Sequence, residues 1–288
     1  MRYSETIFDS THDLSRIKRA IHSSNEINLV NNGENSVGRL RALPRNAEIH
    51  AYSPRENQLL AALPDADFER LFPDLSLVSM RSGATLSEFG RPIKYVYFPI
   101  NSILSLLHES EDGSSSEIAI IGKDGLAGVA ACMGGESRLT RVVVNSAGFG
   151  FRLPKYRLIE EFGRGGALQQ LLLRYTQALM AQMSQMAVCN RHHSVPQQFC
   201  RRLLLSLDRL PANELNMTQE TMANMLGVRR ESVVAAASKL QHDGMIQYSR
   251  GHITVIDRLR IEAQVCECYA CVKTEYDRLL TNSVHSTH

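Results

Sequence analysis

Net charge is almost absent from this sequence: 32 basic and 30 acidic residues leave +2 over 288 positions. That excludes a whole-molecule field drawing the chain to nucleic acid or to an anionic membrane, so any basic surface has to be local. Long apolar runs are missing too. No stretch approaches the roughly 18–20 apolar residues that a bilayer span requires, and no membrane partner is expected. The opening MRYSETIFDSTHDLSRIKRAIHSS has no continuous apolar core and no small-residue cleavage site, unlike a secretion signal. A cytoplasmic location is therefore expected, with the six cysteines held as reduced thiols. Catalytic signatures are also lacking. There is no G-x-x-x-x-G-K-[ST] phosphate loop, no H-E-x-x-H metal pair and no G-x-S-x-G elbow, so no enzyme is predicted.

What is present reads as an α+β chain. Residues 1–50 are polar and have the composition of a disordered N-terminal extension. In SPRENQLLAALP, Ser53 can cap, Pro54 suits a first helical position, and Leu59, Leu60 and Leu63 give an apolar side. From about Leu75 to Leu153 short β-rich runs alternate with turns, the pattern of an antiparallel β-roll of jelly-roll type. Residues 51–165 thus form the first domain. A long helix follows over 166–192, with Leu168, Leu172, Tyr175, Leu179, Met183 and Met186 spaced by three or four. This stripe is longer than one small β-domain readily covers, which predicts a two-helix dimer seam; burial within one chain is the alternative.

Residues 193–288 form the last domain. Thr218 can cap a helix carrying Met222, Met225 and Leu226 inward. Gly227 supplies a tight turn, and Val228, Val233, Ala236, Ala237 and Leu240 give a second helix its buried side, which is helix-turn-helix anatomy. IQYSRGHITVID then reads as a hairpin turning at Arg250-Gly251, a wing that sets these residues and His252 near a nucleic-acid backbone. Arg229 and Arg230 open the second helix, where positive charge opposes the helix macrodipole. That arrangement makes sense if phosphates and bases are the partner. Arg230 can donate two bonds to a guanine edge and Glu231 can accept from a cytosine amine. Between Val195 and Arg260, nine basic residues face six acidic ones, a local excess of three. A rival reading keeps the fold but makes the roll a ligand-binding or protein-interaction module whose helix-turn-helix does not read DNA.

Through TQETMANMLGVRRESV, CNRHHSVPQQFCRRLLL and ITVIDRLRIEAQVCECY the chain resembles the Crp/Fnr superfamily of bacterial transcription regulators. The resemblance covers nearly everything after residue 55. It implies a homodimer joined along the long helix, bound to a palindromic operator in double-stranded DNA, with RNA polymerase as a further partner. By position, Arg230 and Glu231 match the family's base-reading pair, Thr218 and Gln219 its backbone contacts, and Arg250-Gly251 its wing. Ser232 lies in the same reading turn. Ala235 stands where the catabolite activator has a third base-reading arginine, and Arg229 stands where a serine cap is usual, so a different target sequence is implied. Members that hold cyclic AMP use a Glu after F-G and an R-[ST]-A run. Here Val129 follows Gly128, Leu139-Thr140-Arg141 replace the run, and Arg138 falls one residue early, onto the other face of a strand. Cyclic AMP is therefore not an expected cofactor. Nor is an iron–sulfur cluster, because the first cysteine is Cys132 and the Fnr-type N-terminal cysteines are missing.

The remaining cysteines predict no metal site. A single helix over 258–280 would turn Cys266 and Cys268 about 200° apart, leaving only Cys268 and Cys271 on a shared face. All three read as small buried apolar residues. Cys189, His192 and His193 read as a hydrogen-bonded hinge beside the last domain, with a metal or thiol switch as the alternative.

Overall fold

The computed structural model describes residues 52–109, 115–134 and 140–280. The extension expected over 1–50 lies outside them, as do Arg138 and Leu139. Ser53 begins a capping box: Glu56 accepts from the Ser53 amide at 2.6 Å, and Pro54 takes the first position of a short turn. Helix α1 (Gln58–Ala61) and helix α2 (Asp65–Leu71) follow, separated by Pro64.

Seven strands make the roll: β1 (Ser76–Met80), β2 (Thr85–Ser87), β3 (Tyr95–Pro99), β4 (Ile103–Glu109), β5 (Ser115–Ile121), β6 (Thr140–Ser146) and β7 (Gly148–Pro154). They pair antiparallel in two sheets, ordered β1-β7-β3 and β2-β6-β4-β5. Strand β3 is buried on both faces. Val96 and Phe98 pack toward the helices, while Tyr97 packs with Met80, Leu104 and Val144 in a second apolar cluster.

Helix α3 (Lys155–Gly163) leads into the 26-residue helix α4 (Ala167–His192). Its apolar stripe corrects the expected dimer seam. Leu168, Leu172, Tyr175, Leu179 and Met186 are all buried inside one chain, against the roll and the last domain. A buried side chain of this kind contributes about 1.5–3 kcal/mol, so exposing the stripe to seek a partner would cost on the order of 10 kcal/mol. Polar contacts fix the same face: the Tyr175 hydroxyl donates to Leu126 O at 2.9 Å, and the Gln182 amide meets both Ile120 N and Ile120 O. Gly125 permits this approach, because a Cβ there would lie 2.6 Å from the Tyr175 hydroxyl.

Helix α5 (Val195–Leu207) opens the last domain, followed by β8 (Glu214–Asn216), α6 (Gln219–Leu226), α7 (Arg230–His242), β9 (Ile246–Ser249) and β10 (His252–Val255). The strands form a small sheet ordered β8-β10-β9. The single helix expected over 258–280 is in fact two, α8 (Arg258–Gln264) and α9 (Cys268–Leu280). Val265 turns extended at φ −71°, ψ 151°, and α9 folds back on α4, where Gln182 Nε2 donates to the Tyr276 hydroxyl at 2.8 Å.

Two arginine–carboxylate pairs join α5 to the roll. Glu117 on β5 and Arg202 on α5 are each about 1 % exposed at the side chain, with Arg202 Nε 2.7 Å from Oε1 and Nη2 3.0 Å from Oε2. Ser105 donates to the same carboxylate at 2.5 Å, and Asn145 donates to Ser105 and to Met225 Sδ on α6. Just past the C-cap of α5, Arg209 meets Asp124 at 2.9 and 2.7 Å.

Candidate nucleic-acid interface

The helix pair α6–α7 forms for local reasons. Thr218 caps α6 by accepting from the Thr221 amide at 3.0 Å. Gly227 ends α6 at φ 64°, ψ 33°, a left-handed conformation that L side chains resist. Met222, Met225 and Leu226 on α6 and Val233, Ala236, Ala237 and Leu240 on α7 are buried, so the two helices share one core. Val228 is half-buried between them.

Helix α7 begins without a side-chain cap. Arg229 takes the extended cap position at φ −68°, ψ 144°, and its carbonyl accepts from the Ser232 amide at 3.1 Å. Arg229, Arg230 and Glu231 are exposed, and among the described residues they make no side-chain hydrogen bond or ion pair. The amides of the helix start and two guanidiniums thus face solvent together, a concentration of donors with no acceptor among the described side chains.

The β9–β10 hairpin turns at Arg250 (φ 50°) and Gly251 (φ 81°), both left-handed, as a two-residue turn requires. Arg250 is the one non-glycine residue with positive φ among those described. The turn is tied back to the start of α6: Gly251 O accepts from the Met217 amide at 2.7 Å, and a Cβ on Gly251 would stand 3.4 Å from Thr218 Cγ2. The structure therefore brings Thr218 together with Arg250 and Gly251, with half-buried Gln219 next in the chain. His252 is held on the strand side, with Nδ1 2.8 Å from Asn216 Oδ1 and Nε2 3.3 Å from Glu214 Oε2.

The local excess of basic residues does not survive as surface. Arg201, Arg202 and Arg209 are only 1–3 % exposed, so the accessible charge rests on Arg229, Arg230, Lys239, Arg250 and their neighbours. In the roll, Val129 lies in the apolar core behind Gly128 (φ 101°), and the Arg141 guanidinium sits 5.6 Å over the Phe89 ring. Sequence reasoning missed two groupings. One is the Glu117–Arg202 joint, signalled by an acid in phase with Ala119 and Ile121. The other is the meeting of Cys189, His193, Cys266 and Cys268, whose ligand atoms lie within 4.8 Å of one another. His192 and Cys271 stay exposed and outside it.

Residues 197–263 match the family model of the Crp-like helix-turn-helix domain. No curated protein matches the chain by sequence. Among solved structures, FixK2 of Bradyrhizobium japonicum is similar at 17 % identity and a TM-score of 0.56, over 67 % of this chain and 98 % of that one. A regulator of the Crp/Fnr family from Eubacterium rectale is similar at 19 % identity and a TM-score of 0.54, over 72 % and 96 %. A further one from Thermus thermophilus is similar at 18 % identity and a TM-score of 0.51, over 66 % and 97 %. At these identities the likeness establishes the fold. No helix among the described residues is long and apolar enough to cross a membrane.

Proposed function

We infer that this chain, a Crp/Fnr-type fold carrying a Crp-like helix-turn-helix domain, is a DNA-binding transcriptional regulator of sequence-specific type. The observation that carries this reading is the start of α7: two exposed arginines, at the cap and first position of the second helix of the matched domain, without a side-chain partner among the described residues. The N-terminal turn of such a helix enters the major groove. Arg230 donates to guanine O6 and N7, Glu231 accepts from cytosine, and Arg229 with Ser232 completes the turn against bases and phosphate. Thr218, Gln219 and the tip Arg250-Gly251 bind the DNA backbone, and His252 stiffens the wing through Asn216 and Glu214.

The working unit we propose is a cytoplasmic homodimer on a palindromic operator, acting on RNA polymerase. Its seam uses the outer face of α4. Leu173 and Met180 are 56 % and 62 % exposed, seven residues apart, and exposed Ala187 continues the spacing. Half-buried Thr176 and Met183 fall between them, which completes a heptad pattern. The roll senses, and the Glu117–Arg202 and Asp124–Arg209 joints pass its state to α5 and the reading helices. A sensor of this kind needs two states that a ligand binds unequally.

Arg230→Ala is expected to weaken binding to the selected operator by about 1–3 kcal/mol per half-site, and to relax preference at one base pair, while the dimer persists in light scattering. Operator selection by sequencing followed by titration measures both. Unchanged affinity and preference would remove Arg230 from the reading role. Arg250→Asn is expected to act oppositely on fold and function. Asparagine tolerates the left-handed conformation, so stability should rise by about 0.5–1 kcal/mol. The loss of one phosphate contact should lower the salt slope of binding by about 1. A slope equal to that of the parent would take the wing tip off the DNA.

A further inference from the structure

The one cluster of soft donors among the described residues lies where the long helix meets the last domain. Cys189 is in the last turn of α4, His193 is its C-cap, Cys266 lies in the bend after α8, and Cys268 starts α9. Their four ligand atoms all fall within 4.8 Å of one another. Cys189 Sγ is 3.6 Å from Cys266 Sγ, and Cys268 Sγ is 3.4 Å from His193 Nδ1. A tetrahedral zinc ion with Zn–S of about 2.3 Å and Zn–N of about 2.0–2.1 Å has S···S edges of about 3.8 Å and S···N edges of about 3.6 Å. The two measured edges match these, and the widest gap closes with a movement of about 1 Å, within reach of a side-chain adjustment.

The surroundings fit a metal better than they fit three small apolar residues. His193 aims Nδ1 at the sulfurs while Nε2 lies 3.2 Å from Glu267 Oε1. A carboxylate on the far nitrogen fixes the tautomer and orientation that a metal-bound histidine needs. Gln185 Nε2 donates to Cys268 Sγ at 3.1 Å, a bond suited to a thiolate. Charge completes the account. A dication with three thiolates carries one net negative charge, and Arg201 is only 1 % exposed and makes no ion pair among the described residues. Its guanidinium donates to Met186 Sδ, one turn before Cys189.

We propose that Cys189, His193, Cys266 and Cys268 form a closed, mononuclear Cys3His site for a zinc-type divalent ion. Four protein donors leave no open position, so the role is structural. The ion fastens the start of α9, beyond the matched helix-turn-helix residues, to the end of α4, and fixes the joint from which α5 departs. A polynuclear iron–sulfur cluster places metals and bridging sulfides between its cysteines and needs wider ligand spacing than this cluster offers.

The test uses the full chain, purified under reducing conditions without a metal-affinity tag. Elemental analysis by mass spectrometry is expected to give one zinc per chain. Protein stripped with chelator and reductant, then titrated with cobalt(II), should show the thiolate charge-transfer and tetrahedral d–d bands of a sulfur-rich site. Cys268→Ser and Cys189→Ser should each abolish stoichiometric metal, and Cys271→Ser, on an exposed position, should retain it. Glu267→Ala should bind zinc about 10- to 100-fold more weakly. If the two ligand variants fold poorly, the cobalt titration of the parent still decides. Reduced parent protein with neither zinc nor cobalt–thiolate bands overturns the proposal, as does iron with acid-labile sulfide, or metal retained by Cys268→Ser.

Discussion

Glu117→Ala is expected to lower the stability of the chain by about 3–5 kcal/mol, a fall in Tm of roughly 10 °C for a unit of this size. The magnitude follows from what the substitution leaves behind. Arg202 is fully enclosed, burial pulls its guanidinium below the ordinary arginine range, and Glu117 is the carboxylate that offsets this. Removing the acid strands a charge in a medium that solvates it poorly. Ser105 loses its acceptor at the same time, and Asn145 loses the order that Ser105 imposes. The cost exceeds that of a surface ion pair, whose removal rarely exceeds about 1 kcal/mol.

A second variant separates the pair from the packing around it. Glu117→Leu combined with Arg202→Met replaces two buried charges with apolar groups of similar length, and such swaps are often neutral or stabilising. Urea unfolding should therefore show the double variant well above Glu117→Ala in stability. The double variant also removes the polar link between roll and α5; on the proposed reading, in which this joint carries the state of the roll, operator affinity should lose its dependence on that state even where stability recovers. A cost below about 1 kcal/mol for Glu117→Ala would mean that the joint opens readily and would remove it as the proposed link between the roll and the reading helices.

That joint also marks where the sequence was legible and where it was not. Local signals sufficed for the helix-turn-helix. Thr218 as cap, Gly227 as left-handed turn and Arg250-Gly251 as hairpin turn act through their own backbones, and each stands where its chemistry predicts. The turn-rich roll was readable for the same reason, but Ser53, read as the cap of the helix carrying Leu59 and Leu60, caps only the Pro54–Glu56 turn, and Asn57 caps α1 by accepting from the Leu59 and Leu60 amides. Tertiary partners were not. The α4 stripe announced a buried face, but periodicity is indifferent to whether the roll or a second chain covers it. Arg201 and Arg202 sit before an apolar run and looked like surface charge, whereas both are enclosed by α5 and its neighbours. The break at 265–267 carries neither glycine nor proline. Val-Cys-Glu would continue a helix locally, and the return of α9 onto α4 interrupts it. The cysteine geometry was misjudged for that one reason: the 200° separation holds only within a continuous helix.

In the proposed dimer, Met180→Glu is expected to separate the two copies with little effect on the fold of either. Met180 is 62 % exposed on one chain, and glutamate is a good helix former, so the stability of the protomer should change by no more than about 0.5 kcal/mol. Across a two-fold seam the same position meets its counterpart, and two carboxylates placed among Leu173, Met183 and their partner copies would be both desolvated and mutually repelled. Light scattering at micromolar protein should report a monomer. DNA binding then loses the second half-site, because the two reading helices no longer share one effective concentration. Affinity for the palindrome should fall by about 10²- to 10⁴-fold, while the weak affinity for an isolated half-site stays the same. Met180→Leu, which keeps the apolar contact, should keep both the dimer and the palindrome. A Met180→Glu protein that remains dimeric would move the seam off this face of α4. A monomer that still binds the full palindrome at parental affinity would mean that the DNA-reading unit does not need its partner.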